Sequence, residues 1–118
     1  MRVRDLERFL DIDVEGSLEE RFMDSEELYA RFLRKLLNTP DFVMLQEAAD
    51  VGDLDVALRV AHNLKGVCAN LGLYGLSEGF GKVVGLVRGG AEPSAVQEQV
   101  RILAGLWDKT LRYIGELC

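Results

Sequence analysis

Histidine is the scarcest reactive residue in this sequence: His62 stands alone among 118 residues, beside two cysteines, two prolines and one tryptophan. A zinc site needs three or four ligands at suitable spacing, and His62 with the distant Cys68 and Cys118 does not supply them. Two cysteines make no disulfide framework either, and in a reducing compartment both read as free thiols. Positive charge is in the minority: 14 Lys and Arg against 20 Asp and Glu leave a formal net charge of -6. That balance argues against nucleic acid or an anionic membrane surface as partner. No apolar run approaches the roughly 20 residues that a membrane-spanning helix takes. The stretch Met1-Arg2-Val3-Arg4-Asp5 lacks the apolar core of a secretory signal, so the expected location is the cytoplasm. Neither a Gly-x-Ser-x-Gly elbow nor a Walker phosphate loop is present. Carboxylate pairs occur only in the charge runs Glu19-Glu20 and Glu26-Glu27, which read as solvated helix faces.

What is present is enough apolar material, 48% of residues, for a core in one compact domain spanning 1–118. All of its periodicity is helical. Asp24-Ser25-Glu26-Glu27-Leu28 reads as a helix start, with Asp24 as cap and Met23 packing on Leu28 across the first turn; the alternative leaves Phe22 and Met23 exposed as partner-binding groups. Leu28, Tyr29, Phe32, Leu33, Leu36 and Leu37 recur at helical spacing before Thr39-Pro40 closes the segment. Pro40 suits the first turn of the next helix, through Phe42, Leu45 and Ala49 to Gly52. Asp53 caps a third, whose apolar face is Leu54, Ala57, Leu58, Ala61, Leu64, Cys68 and Leu71, with Gly72 as a left-handed terminator. A fourth covers about Leu76 to Val87 and stops at Gly89-Gly90. Gly79, Gly81 and Gly85 each cost it about 1 kcal/mol relative to alanine. The last starts near Pro93-Ser94 and turns Val96, Val100, Leu103, Trp107, Leu111, Ile114 and Leu117 inward. Leu6 to Leu18 reads as a short helix and a loop. The expected fold is all-α, an up-and-down antiparallel four-helix bundle with an additional short N-terminal helix. Trp107, Phe32 and Cys68 are assigned to its core.

On the third helix His62, Lys65, Gly66 and Ala69 form a stripe beside the apolar face, since residues three and four apart are neighbours. That edge offers an imidazole, a cation one turn away and then little side-chain bulk. A glycine inside a helix is destabilising unless something must approach the backbone. A neutral imidazole is a competent nucleophile near neutral pH. The stripe therefore fits a group that takes a phosphoryl from a second protein, with Lys65 balancing the incoming charge. Lys82, on the following helix, is a candidate secondary contact.

The run His62-Asn63-Leu64-Lys65-Gly66-Val67-Cys68-Ala69-Asn70-Leu71-Gly72 resembles the signature of histidine-containing phosphotransfer (HPt) domains, His-x-x-Lys-Gly followed six residues later by glycine. Ile12-Asp13-Val14-Glu15-Gly16, Asp24-Ser25-Glu26-Glu27-Leu28-Tyr29 and Gly52-Asp53 resemble further landmarks, so the likeness runs from about Leu10 into the last helix. It implies a histidine exposed on a four-helix bundle, taking a phosphoryl from one receiver-domain aspartate and passing it to another. The partners implied are receiver domains of response regulators or hybrid kinases. The chain would need no cofactor of its own, since magnesium belongs to the receiver. The resemblance makes His62 the phosphoacceptor, Lys65 its charge partner, and Gly66 and Ala69 the clearance for the partner. Two departures stand out: Val84, where an acidic residue is expected, and the glycine-rich helix around it. Two other classes stay open on the sequence, an interaction bundle whose histidine is unused and a phosphatase-like regulator on the same scaffold.

Overall fold

The structure is a computed structural model that describes residues 1–118. A 3-10 turn, Val3–Arg8, precedes α1 (Val14–Glu20) and α2 (Glu26–Arg34). A second 3-10 turn, Lys35–Asn38, then leads to α3 (Asp41–Asp50), α4 (Leu54–Asn70), α5 (Tyr74–Arg88) and α6 (Pro93–Ile114). The chain has no strand, as the all-helical periodicity requires. Helices α3 to α6 form a ring in which each packs on the next and α6 closes against α3. The short connections between them make antiparallel neighbours. In the amino-terminal third the stretch Leu6 to Leu18 is a 3-10 turn followed by α1, and the helix expected from Asp24 onward is present as α2 with its last turn tightened to 3-10; α2 packs on α1 and on α6.

The ring closes around aromatic rings from three helices. Phe42 of α3 stacks on Trp107 of α6 with centroids 5.1 Å apart, and Phe80 of α5 meets Trp107 edge-on at 6.0 Å. Such pairs add about 0.5–1.5 kcal/mol each beyond the area they bury. Helix α4 turns Ala57, Val60, Ala61, Leu64 and Cys68 into this core. Leu54, Leu58, Leu111 and Leu117 pack at its margin, only partly buried. Val84 is a core residue, 4% exposed, which accounts for the missing carboxylate at that position.

Two local expectations fail for one reason, the sharp reversal between α1 and α2. The cap of α2 is Ser25, whose hydroxyl accepts from the Leu28 amide at 3.1 Å. Asp24 is used by the turn instead: it adopts φ +59°, and its amide donates to the Leu18 carbonyl at 2.8 Å. Met23, at φ +52°, points away from the fold and is 81% exposed, so it packs on nothing as a staple. Phe32 does not join the core expected for it. It is 39% exposed, because α2 carries a wider apolar stripe than its neighbours can cover.

At the far end of α4 the chain reverses through Gly72, φ +74°, and the Leu73 amide returns to the Cys68 carbonyl at 2.9 Å. The Tyr29 hydroxyl of α2 donates to the Leu71 carbonyl at 2.5 Å. The amino-terminal helices are thus fastened to the corner that aims the exposed edge of α4.

Candidate functional site

Asp53 starts α4 by accepting from the Val56 amide at 3.2 Å. With Ala57, Ala61, Leu64 and Cys68 turned inward, the helical advance of about 100° per residue leaves His62, Lys65 and Gly66 on the outer face. All three are exposed, and Ala69, one turn beyond Gly66, is half-buried. The stripe expected from spacing is therefore present as a solvent-facing ridge near the middle of α4.

The absence of a side chain at Gly66 has no internal cause. A β-carbon built there would meet nothing within 4 Å. Contrast Gly79, where the same atom would lie 2.3 Å from Leu103 Cδ2, so that glycine is required by the approach of α5 to α6. Gly66 costs helix stability without serving the packing of this chain. What it provides is bare backbone beside His62, facing outward.

One flank of the ridge carries positive charge. Lys65, Tyr74, Ser77, Glu78, Gly81 and Lys82 line one shallow depression between α4 and α5. The structure thus brings Lys82 to the same hollow as Lys65. Ser77 of α5 donates its hydroxyl to the Lys65 carbonyl at 2.9 Å and ties the two helices at this level.

The other flank is apolar, and Phe22 lines it as a buried residue, 6% exposed, rather than as an exposed ring. Asn63 donates its amide to Asp41 of α3 at 3.2 Å. Past that link lies a groove of about 590 Å³ between α2 and α4, its apolar wall made by Phe22, Leu28, Phe32, Leu36, Val67 and Leu71. Arg21 and Lys35 stand at its edge, and the Lys35 ammonium lies 4.2 Å from the centre of the Phe32 ring. The sequence held a signal for this groove. Leu28, Tyr29, Phe32, Leu33, Leu36 and Leu37 sweep too wide an arc for one buried face, so part of that arc had to remain open.

Cys68 is the other nucleophile on α4, and it is out of play. It is fully buried, and burial pushes its thiol up to about 12, so it stays protonated and unreachable at neutral pH. No three His, Cys, Asp or Glu side chains come together as a metal-ligand set. No helix is long and apolar enough to cross a membrane.

With this geometry in place, the comparison with protein families is decisive: the Hpt domain model matches residues 17–107. The chain belongs to the Hpt domain family. The matched stretch spans α2 to α5 entire, most of α1 and most of α6, and it contains the whole ridge. No curated protein and no solved structure matches this Hpt domain. Membership assigns the chain to histidine phosphotransfer in phosphorelay signalling. Hpt domains are phosphoryl carriers rather than enzymes, and the family works with receiver domains.

Proposed function

We propose that His62 is the phosphoacceptor of this Hpt domain, taking a phosphoryl group from a receiver-domain aspartate and handing it to another. The observation that carries this reading is exposure combined with uniqueness. A domain of this family needs one accessible histidine, and the only histidine in the sequence stands on the outer face of α4 beside open backbone.

In the step itself an unprotonated ring nitrogen of His62 attacks phosphorus. The N–P bond forms as the P–O bond to the donor aspartate breaks, and that aspartate leaves as a carboxylate. The phosphorylated ring then releases its surplus proton to water. Return transfer reverses these events with the second receiver. Lys65 faces the added negative charge, with Lys82 as a second cation from across the hollow. Because both lysines are exposed, each contributes about 1 kcal/mol or less. Magnesium and most of the groups that stabilise the transferring phosphoryl come from the receiver, so the chain itself needs no cofactor. Gly66 and Ala69 let the receiver's active site descend to the ring, and the apolar groove beside them offers the receiver a docking surface. Residues 1–118 act as a single module, in the cytosol where receivers work.

The test is to mix the protein with receivers charged by acetyl phosphate in the presence of Mg²⁺. Acid-labile, alkali-stable label should pass to the wild type and not to a His62→Gln variant. Equal labelling of that variant would remove His62 from the role.

A further inference from the structure

Beyond Gly75 in its first turn, three glycines interrupt α5, and their surroundings differ. Gly79 is forced by Leu103 of α6, and a β-carbon at Gly85 would meet open space. Gly81 is different from both. The atoms nearest a β-carbon there all belong to one side chain on another helix: Lys65 Cε at 3.6 Å, Cδ at 3.7 Å and Nζ at 4.0 Å. The aliphatic stem of Lys65 thus lies across the bare backbone of α5. One turn earlier, Ser77, only 8% exposed, donates its hydroxyl to the Lys65 main-chain carbonyl at 2.9 Å. Helix α5 holds Lys65 at both ends, the carbonyl through Ser77 and the stem through Gly81.

A lysine on an open helix surface samples many rotamers, and each must be given up when its ammonium meets an anion. A stem already laid along a neighbouring backbone has lost much of that freedom beforehand, which lowers the cost of the later contact. We propose that Gly81 and Ser77 are positioning residues for phosphoryl transfer, which seat Lys65 so that its ammonium is pre-placed beside the phosphoryl group on His62. This inference rests on the reading of His62 as phosphoacceptor. The contacts at Gly81 define the size limit of the seat. A β-carbon fits at ordinary van der Waals distance, so alanine is tolerated, whereas a longer branched side chain occupies the path of the stem and turns the lysine away.

A small phosphoryl donor separates this inference from receiver docking. With phosphoramidate the donor's P–N bond breaks, ammonia leaves and the phosphoryl forms its N–P bond on His62. Labelling rates are compared for wild type, Lys65→Ala, Gly81→Ala, Gly81→Leu and the Lys65→Ala/Gly81→Leu double variant. Circular dichroism confirms that each is helical. Lys65→Ala should slow labelling by about fivefold, the fold-change of one exposed ion pair at the upper end of its range. Gly81→Leu should match that loss, Gly81→Ala should stay near wild type, and the double variant should be no slower than Lys65→Ala alone. A purely structural role for Gly81 would make the two losses multiply, and that result overturns the proposal. So does a wild-type rate in either Gly81→Leu or Lys65→Ala. Independently of any variant, the wild-type protein should show a nuclear Overhauser contact between the Lys65 ε-methylene and the Gly81 α-protons; its absence overturns the seat even if Gly81→Leu fails to fold. Phosphoramidate labelling with no transfer from any receiver would instead count against the phosphorelay reading and leave the seat standing.

Discussion

The Asp13 amide donates to the Gly72 carbonyl at 2.9 Å, which joins the start of α1 to the reversal between α4 and α5. Gly72 adopts φ +74°, and a β-carbon on it would lie 2.4 Å from Ser17 Oγ and 2.6 Å from the Asp13 carbonyl oxygen. One residue therefore ends a helix and seats a distant segment. Gly72→Ala carries both the left-handed strain and the clash, and should cost about 2–4 kcal/mol in urea unfolding. An unchanged midpoint would contradict this account of the corner.

Gly66→Ala should behave in the opposite way. Its new methyl meets nothing within 4 Å, so the fold should gain up to about 1 kcal/mol from better helix propensity. Transfer from a phosphorylated receiver should slow nonetheless, because the methyl stands where the partner approaches. A variant that is more stable and equally fast would show that clearance at Gly66 is not needed.

Stability should decline at alkaline pH through two buried acids. Burial raises Tyr29 from 10.0 to about 12 and Cys68 from 9.0 to about 12. In each case the folded state holds its proton more tightly than the unfolded chain. Their contribution is complete below pH 9 and is lost as pH climbs from 9 through 12, where the unfolded state deprotonates first. Urea midpoints should thus fall between pH 9 and 11, and should fall less steeply from one pH to the next in a Tyr29→Phe/Cys68→Ala chain. A flat profile over that range would rule out the linkage.

Phe32→Ser tests the groove. Phe32 is 39% exposed, so the fold should lose only about 1 kcal/mol. Receiver affinity should drop about tenfold if this ring anchors the partner, since central aromatic anchors contribute more than 1 kcal/mol to binding. Calorimetric titration with a receiver that accepts phosphoryl from the protein reads both the drop and its absence.

Much of this was legible along the chain. Asp53, Gly72 and Pro93 mark helix ends by local chemistry, and they perform those roles in the structure. The ridge was legible too, because Ala57, Ala61, Leu64 and Cys68 share one face of α4 and so oblige His62, Lys65 and Gly66 to share another. Where local signals competed, the reading failed. Asp24 and Ser25 are both good caps, and only the reversal pinned by Leu18 decides between them. Phe32 looked like core because periodicity shows which residues share a face without showing whether a neighbour covers it.

The sequence by itself determined the helical class, the outer position of the histidine and the residues one turn from it, since all of these follow from 3.6 residues per turn within a single helix. The tertiary structure alone decided which residues of α2 and, beyond Lys82, of α5 flank that ridge. The rotation of one helix against another is set by side-chain packing between them, here by Leu103 pressed against Gly79 and by the Ser77 hydroxyl on the Lys65 carbonyl. Gly81 reads as a liability in the linear chain. It becomes the bed of a lysine sixteen residues earlier only when α4 and α5 are brought side by side.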